Sequence, residues 1–271
     1  MDNVSIIGLG FVGGSMYKSF KMKGCNVIGF DKYKPSESFE KCLTSDILFI
    51  CVPTVFDSKT NKYDLSNIHE TCLLLNKTNY PGLVVIKCTV EPETTMNLSK
   101  AYPCLKLIHN PEFLTAATAF EDFHNQSHIV IGNSDKVTKN DTDKLINFYN
   151  MLYPDAEISI CSCTESESMK SFVNCFYSVK IQFFNELYVL CQKMNIDYNT
   201  VKDLMLKNKW INPMHTNVPG PDGKLSYGGF CFPKDTNALL HFMKLKNSPH
   251  NLLEATINER NSMRNDHTNC S

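Results

Sequence analysis

No stretch of this sequence approaches the ~20 consecutive apolar residues that a membrane-crossing helix needs. Its opening, MDNVSIIGLG, places an acid second and passes straight into a strand-like run. Neither an anchor nor a signal peptide is expected. Charge of one sign is also missing: 27 Lys and Arg stand against 28 Asp and Glu. That balance sets up no field to attract nucleic acid or another polyanion. Internal repeats, low-complexity tracts and blocks of like charge are absent as well. The 12 cysteines lack the spacing of a metal site, since the closest pair, Cys161 and Cys163, has no second pair and no His-x-x-x-His to complete four ligands. With no signal peptide the expected setting is the reducing cytoplasm, where such thiols act as small hydrophobes rather than disulfide partners.

What is present is a chain of 271 residues, 42% hydrophobic and 20% charged, enough for one or two globular domains. Short β-branched runs, VSII, NVIGF, ILFICV, LVVIK, LKLIH and HIVIG, recur through the first 130 or so residues with helix-length stretches between them. Runs that are apolar throughout are those of strands buried on both faces of a parallel sheet, so an α/β, doubly wound domain is expected over residues 1–160. An all-helical domain is expected over 161–271. From Glu165 to about Met194, Met169, Phe172, Val173, Phe176, Val179, Phe183, Phe184, Leu187 and Leu190 recur at three- and four-residue spacing without Gly or Pro. That is one long helix, for which Thr164 and Glu167 have the spacing of a capping box. The Asn-, Gly- and Pro-rich KWINPMHTNVPGPDGKLSYGG follows as a loop long enough to suspect function. PKDTNALLHFMKLK and NLLEATINERNSM then read as further helix.

Two places carry chemistry. In VSIIGLGFVGGSMYKSF, Gly8, Gly10 and Gly13 have G-x-G-x-x-G spacing between a strand and a helix, and Asp31 ends the next strand. Gly8 permits a tight turn, Gly10 lets a pyrophosphate approach the backbone, Gly13 lets helix and strand pack closely, and the helix N-terminus faces the anion. Asp31 accepts from ribose hydroxyls and repels a 2′-phosphate, which favours NAD over NADP, although Lys32 and Lys34 stand beside it. The second place is YGGFCFPKDTNALL, where Cys231 follows two glycines, Gly228 and Gly229, that clear space beside it. Lys234 and Asp235 lie within one turn of it, in a segment that reads as the start of a helix. A cation and a helix N-terminus both favour the thiolate, so this cysteine reads as reactive where the others read as core.

With these motifs in place, the sequence resembles the UDP-glucose/GDP-mannose dehydrogenase family. GLGFVG at 8–13, CVPT at 51–54, IKCTVEPETT at 86–95, NPEFL at 110–114, ESMKSFVNCFYSVKIQFFNEL at 167–187 and GGFCFPKD at 228–235 fall in the family's order. The resemblance implies a Rossmann NAD-binding domain, a helical central and dimerisation domain, and four-electron oxidation of a nucleotide sugar's C6 alcohol to the uronate. Cys231 would carry a thiohemiacetal and then a thioester. Lys170 and Asn174 would hold the C6 oxygen, Asp235 would position a water, Glu112 would act as base in thioester hydrolysis, and Thr89 would assist through that water. Gly8, Gly10, Phe11, Val12, Gly13, Asp31, Thr54, Thr89 and Lys234 would hold NAD. Glu112, Phe113, Leu114, Lys170, Asn174, Gly220, Lys224 and Gly228 would contact the nucleotide sugar, the loop from Gly220 closing over it. The long helix would form a homodimer.

Departures accompany the resemblance: the family's C-terminal nucleotide-gripping domain is expected to be absent, Ala116 stands where relatives often have a second Glu, and Trp210 stands where they have an Arg. Two other readings remain open from the residues. A two-electron β-hydroxyacid dehydrogenase shares the N-terminal fold and a Lys-x-x-x-Asn pair on a long helix, but leaves Cys231 without work. A truncated, non-catalytic relative would keep only the binding of NAD or nucleotide sugar.

Overall fold

A computed structural model describes residues 3–115 and 117–266; Ala116 lies outside the described residues. The strands are β1 (Val4–Ile7), β2 (Val27–Phe30), β3 (Ile47–Ile50), β4 (Phe56–Asp57), β5 (Lys62–Tyr63), β6 (Leu83–Ile86), β7 (Lys106–His109), β8 (His128–Asn133) and β9 (Glu157–Ser162). The helices are α1 (Phe11–Met22), α2 (Phe39–Cys42), α3 (Ser66–Lys77), α4 (Thr94–Ala101), α5 (Ala119–His124), α6 (Lys139–Leu152), α7 (Cys163–Met194), α8 (Tyr198–Leu206), α9 (Cys231–Leu245) and α10 (Asn251–Met263). Two compact units result. The first runs to Val55 and resumes from Tyr63 to Lys170; the second takes Phe56–Lys62 and the described residues from Ser171 onward.

The first unit is a seven-stranded sheet in the order β2-β1-β3-β6-β7-β8-β9. Side chains of successive strand residues alternate between its faces, and the core divides accordingly. Ile47, Phe49, Val85 and Ile108 pack with Met16 and Phe20 of α1 and Leu145, Phe148 and Tyr149 of α6. Leu48, Ile50, Val84 and Leu107 pack with Ile68, Cys72 and Leu75 of α3 and Leu98 of α4. Helices on both faces explain why β1, β3 and β6 are buried along their whole length. The chain order reverses between β1 and β3, which is where a doubly wound sheet opens its ligand crevice.

The sheet is not parallel throughout, as the apolar runs led us to expect. β8 pairs antiparallel with β7, and β9 then runs parallel to β8. A run of buried apolar residues reports burial on two faces and is blind to strand direction.

α7 is a single helix of 32 residues, about 48 Å long at 1.5 Å per residue. Its cap is not the expected one. Ser162 and Glu165 form the reciprocal pair: the Glu165 carboxylate accepts from Ser162 N at 2.8 Å, and Ser162 Oγ accepts from Glu165 N at 3.2 Å. Glu167 is fully buried instead and accepts from Thr95 N at 2.7 Å, at the start of α4. Both pairs have three-residue spacing, and only the true helix start decides between them.

In the second unit, Cys175 of α7 packs with Leu239 of α9 and Leu253 and Ile257 of α10, and Phe184 and Cys191 pack with Tyr198 of α8 and Val218. The face α7 buries is largely polar: Asn174, Ser178, Gln182 and Asn185 are all buried, while Phe172, Phe176, Phe183 and Leu190 are half or more exposed. No helix among the described residues is long and apolar enough to cross a membrane.

Candidate functional site

The Gly8–Gly13 turn leaves β1 beside the C-terminal end of β3. Gly8 has φ +90°, and a Cβ there would stand 2.7 Å from the Cys51 carbonyl oxygen. A Cβ on Gly13 would lie only 1.9 Å from the Gly8 oxygen, whereas one on Gly10 would meet nothing within 4 Å. Two of the glycines are therefore required by the protein's own backbone, and the third faces open space. No side chain caps the N-terminus of α1, and no acid stands in its first turn. An open, uncapped helix start with a glycine at its lip fits a dinucleotide pyrophosphate. Phe11, the first residue of α1, is largely exposed at the same lip.

Asp31 is held rigidly across this turn: Oδ2 accepts from Leu9 N at 2.7 Å and Oδ1 from Tyr33 N at 2.9 Å. The neighbouring lysines have other partners, Lys32 pairing with Glu70 at 3.0 Å and Lys34 donating to the Leu9 carbonyl at 2.6 Å. The negative charge is thus the fixed feature of the ribose end. NAD is expected to bind at least tenfold more tightly than NADP, about 1.4 kcal/mol, with Asp31→Ser narrowing the ratio. Equal dissociation constants for the parent protein would remove this role.

A second cluster in the first unit gathers around Glu112. The buried Lys170 ammonium lies 3.6 Å from the Glu112 carboxylate and 5.4 Å from the centre of the Phe113 ring. Glu112 Oε2 accepts from Leu114 N at 2.6 Å, so that amide is already engaged within its own turn. Thr54 donates to the Thr89 carbonyl at 2.8 Å, tying two of the sequence-predicted residues together.

Several supports of this cluster were not singled out from the sequence. Lys87, fully buried, donates to Asn110 Oδ1 at 3.0 Å and to the Pro111 carbonyl at 3.2 Å, pinning the turn that delivers Glu112. Burial pushes its ammonium down to about 8. His109 is buried between Ser166 Oγ at 2.8 Å and the Cys88 carbonyl at 3.3 Å. A carbonyl only accepts, so Nε2 carries the proton and Nδ1 accepts from Ser166. Burial drives this imidazole down to about 3, neutral at any working pH. The one available signal was a polar, titratable residue ending each apolar run, LVVIK and LKLIH.

In the second unit, Asn174 of α7 donates to Asp235 Oδ2 at 2.5 Å, and Lys234 donates to Asp235 Oδ1 at 2.8 Å. All three are buried. Cys231 is exposed and is the first residue of the 15-residue α9. Seven of the described cysteines are buried, Cys51 and Cys161 are intermediate, and Cys104 is the other exposed one. Cys51 and Cys88 lie just past the ends of β3 and β6, burial pushing the Cys51 thiol well up and Cys88 donating to the Val52 carbonyl at 3.1 Å.

The loop before α9 is closed on itself by Gly220 N to the Lys224 carbonyl at 3.0 Å. One expectation is corrected here. A Cβ on Gly228 would stand 2.3 Å from Arg264 Nη2, so the space this glycine clears belongs to a guanidinium. Gly229 is needed for a different reason, its φ of +76°.

Comparison with known proteins agrees with this layout. The chain is 27% identical over 225 residues to a UDP-glucose 6-dehydrogenase of Campylobacter jejuni, covering 83% of this chain and 55% of that one. It thus spans about half the length of the curated relatives it matches. Among solved structures it is similar to a UDP-glucose dehydrogenase from the hyperthermophilic archaeon Pyrobaculum islandicum, with a TM-score of 0.85 and 25% identity over 97% of this chain and 68% of that one. A 3-hydroxyisobutyrate dehydrogenase from Mycobacterium tuberculosis shares the fold alone, with a TM-score of 0.74 at 16% identity over 98% and 95% of the two chains. Residues 32–153 match the NAD binding domain, and residues 164–262 the central domain, of one and the same family. The first match begins just after Asp31, the second takes in the helical unit that carries Asn174, Cys231 and Asp235, and the chain belongs to the UDP-glucose/GDP-mannose dehydrogenase family.

Proposed function

We propose that this protein oxidises a nucleotide sugar at C6 by four electrons, taking UDP-glucose to UDP-glucuronate. The observation that carries the reading is Cys231, exposed at the first position of α9 in a chain that buries most of its other described thiols. At that position the helix dipole favours a thiolate. NAD, when bound, supplies the hydride acceptor for both oxidations.

The chain's own residues supply the rest. Once C6 is an aldehyde, Cys231 Sγ bonds to its carbon and the carbonyl oxygen takes a proton, giving a thiohemiacetal. Loss of hydride from C6 and of the hydroxyl proton leaves a thioester. Water then adds, the C–S bond breaks with the thiolate as leaving group, and the carboxylate forms. Lys170 and Asn174 are assigned to the C6 oxygen, where an ammonium and an amide N–H stabilise negative charge as it develops. Asp235, held by Asn174 and Lys234, is assigned to a water, and Glu112 to the base that activates water against the thioester, with Thr89 assisting. Gly220, Lys224, Gly228, Phe113 and Leu114 are assigned to the sugar nucleotide, and Thr54 and Lys234 to the cofactor.

A homodimer through α7 belongs to the same proposal. Phe172, Phe176, Phe183, Leu190 and Met194 follow one another at four- and seven-residue steps and are all exposed by half or more, which marks one apolar stripe along the helix. A cytoplasmic setting is supported by Cys25, Cys42, Cys72 and Cys88, which the two cores of the first unit use as small apolar side chains. The test of the reaction is a panel of UDP-glucose, UDP-N-acetylmannosamine and GDP-mannose at limiting sugar, with NADH followed to exhaustion. Two NADH per UDP-glucose is the expected result. No NADH from any of the three would remove the proposal, and one per sugar would replace it with a two-electron dehydrogenase.

A further inference from the structure

Arginine is almost never buried unless paired, yet α10 and the residue that ends it each bury one. Arg260 and Arg264 are 3% and 4% exposed and stand four residues apart, on one face of the helix and its end. Their donors converge on the loop that leads to Cys231. Arg264 Nη1 donates to the Leu225 carbonyl at 3.1 Å and to the Ser226 carbonyl at 3.3 Å, and Arg260 Nε donates to the Tyr227 carbonyl at 3.1 Å. Three successive carbonyls are therefore held by two guanidinium groups. Gly228, next in the chain, is the residue whose missing Cβ makes room for Arg264.

Two carboxylates balance the pair. Asp266 accepts from Arg264 Nε at 2.9 Å and from Arg260 Nη2 at 2.7 Å, and Asp222, in the Gly220–Lys224 turn, accepts from Arg264 Nη2. The same loop is gripped independently from α7, where Asn185 Oδ1 accepts from Ser226 N at 2.8 Å and Gln182 accepts from Ser226 Oγ. The Tyr227 ring is buried with Arg260 5.8 Å from its centre, and its hydroxyl lies 3.5 Å from Thr236 Oγ1 of α9. A segment without helix or strand has had its backbone fixed by side chains at every residue from 225 to 227, four residues before the thiol.

We infer that Arg260 and Arg264 are positioning residues for the nucleophile: a fork-shaped clamp that sets the backbone delivering Cys231 and, through Asp222, the Gly220–Lys224 turn. The inference rests on the reading of Cys231 as the nucleophile. Arginine suits the task because one planar group reaches two carbonyls and two carboxylates at once; a lysine keeps the charge and loses the fork.

The test uses the full chain as Arg264→Ala, Arg264→Lys and Asp222→Asn, and reads two quantities that need no turnover. Amide exchange at Leu225–Gly229 should rise at least tenfold in Arg264→Ala. The pH midpoint for alkylation of Cys231 by iodoacetamide, followed by peptide mass with exposed Cys104 as the internal reference, should move up toward that of an ordinary thiol. NAD affinity should stay within twofold of the parent. Arg264→Lys should recover less than half of either change. Asp222→Asn, which alters an exposed turn and keeps the clamp's carbonyl contacts, should raise exchange at 222–226 and covers the case in which Arg264→Ala does not fold. Unchanged exchange at 222–226 in Asp222→Asn, or an unchanged Cys231 midpoint in a folded Arg264 variant, overturns the inference. If the parent forms no NADH but Cys231 responds as described, the proposed reaction falls and the clamp stands; if the parent turns over and Cys231 does not respond, the reverse holds.

Discussion

Cys231→Ala is expected to cut the yield from two NADH per sugar to at most one. Lys170, Asn174 and Asp235 remain in this variant, so the alcohol can still be taken to the aldehyde, slowly. The second oxidation is different, because it needs C6 to carry a sulfur substituent that turns an aldehyde into a hydride donor and then leaves. Without Sγ the aldehyde or its hydrate should accumulate and be caught by a carbonyl-trapping reagent. NAD binding at the Gly8–Gly13 turn should be unchanged, since that turn is built from β1, α1 and the end of β3 in the first unit. Substituting Cys51 or Cys88 should leave the stoichiometry at two. Full two-NADH turnover by Cys231→Ala would end the covalent mechanism, whatever the rate.

Glu167→Gln should change how stability depends on pH. The carboxyl is fully buried at the N-terminus of α4, where the Thr95 amide favours its ionised form, but burial outweighs that and raises it to about 7 from an ordinary 4.5. The folded state therefore keeps a proton that the unfolded chain has released. The group's contribution is full below pH 4.5, is lost as pH rises from there through 7, and is constant above it. A shift of about 2.5 units corresponds to roughly 3 kcal/mol. Gln mimics the protonated side chain at every pH, so the variant should gain on the parent across pH 5–7 by up to about 3 kcal/mol and then hold a constant lead. Denaturant unfolding of both proteins at half-unit pH steps reads the difference directly. A difference flat with pH would mean that Glu167 ionises in the folded protein as freely as in the unfolded one.

This residue also shows why part of the site could not be read from the chain alone. Glu167 and Glu165 each have a hydroxyl residue three positions earlier, and nothing local says which pair caps the helix. The answer depends on where β9 ends and on α4 lying where its first amides meet Glu167, a partner 72 residues away in sequence. Lys87 and His109 were hidden for a related reason. A polar residue at the end of an apolar strand reads as a strand terminus, and only the packed sheet shows that both are buried, Lys87 spent on the turn before Glu112 and His109 on Ser166 and the Cys88 carbonyl.

Where the physics is local, the sequence by itself was enough. The spacing of Gly8, Gly10 and Gly13 already contained the turn, because its tightest approach, Gly13 against the Gly8 oxygen, is made between residues five apart. The three- and four-residue apolar recurrence contained α7, because helical periodicity is a property of consecutive residues. Cys231 announced itself through its immediate neighbours in the same way. Which face of α7 is buried was decided only by tertiary structure: the periodicity reports a helix and an apolar stripe, and the packed unit puts Asn174, Ser178, Gln182 and Asn185 inside while Phe172, Phe176 and Phe183 are exposed. Those buried polar groups cost free energy unless their partners arrive from elsewhere. They arrive from Asp235 and Ser226, 61 and 41 residues on from Asn174 and Asn185, through packing that no local pattern encodes.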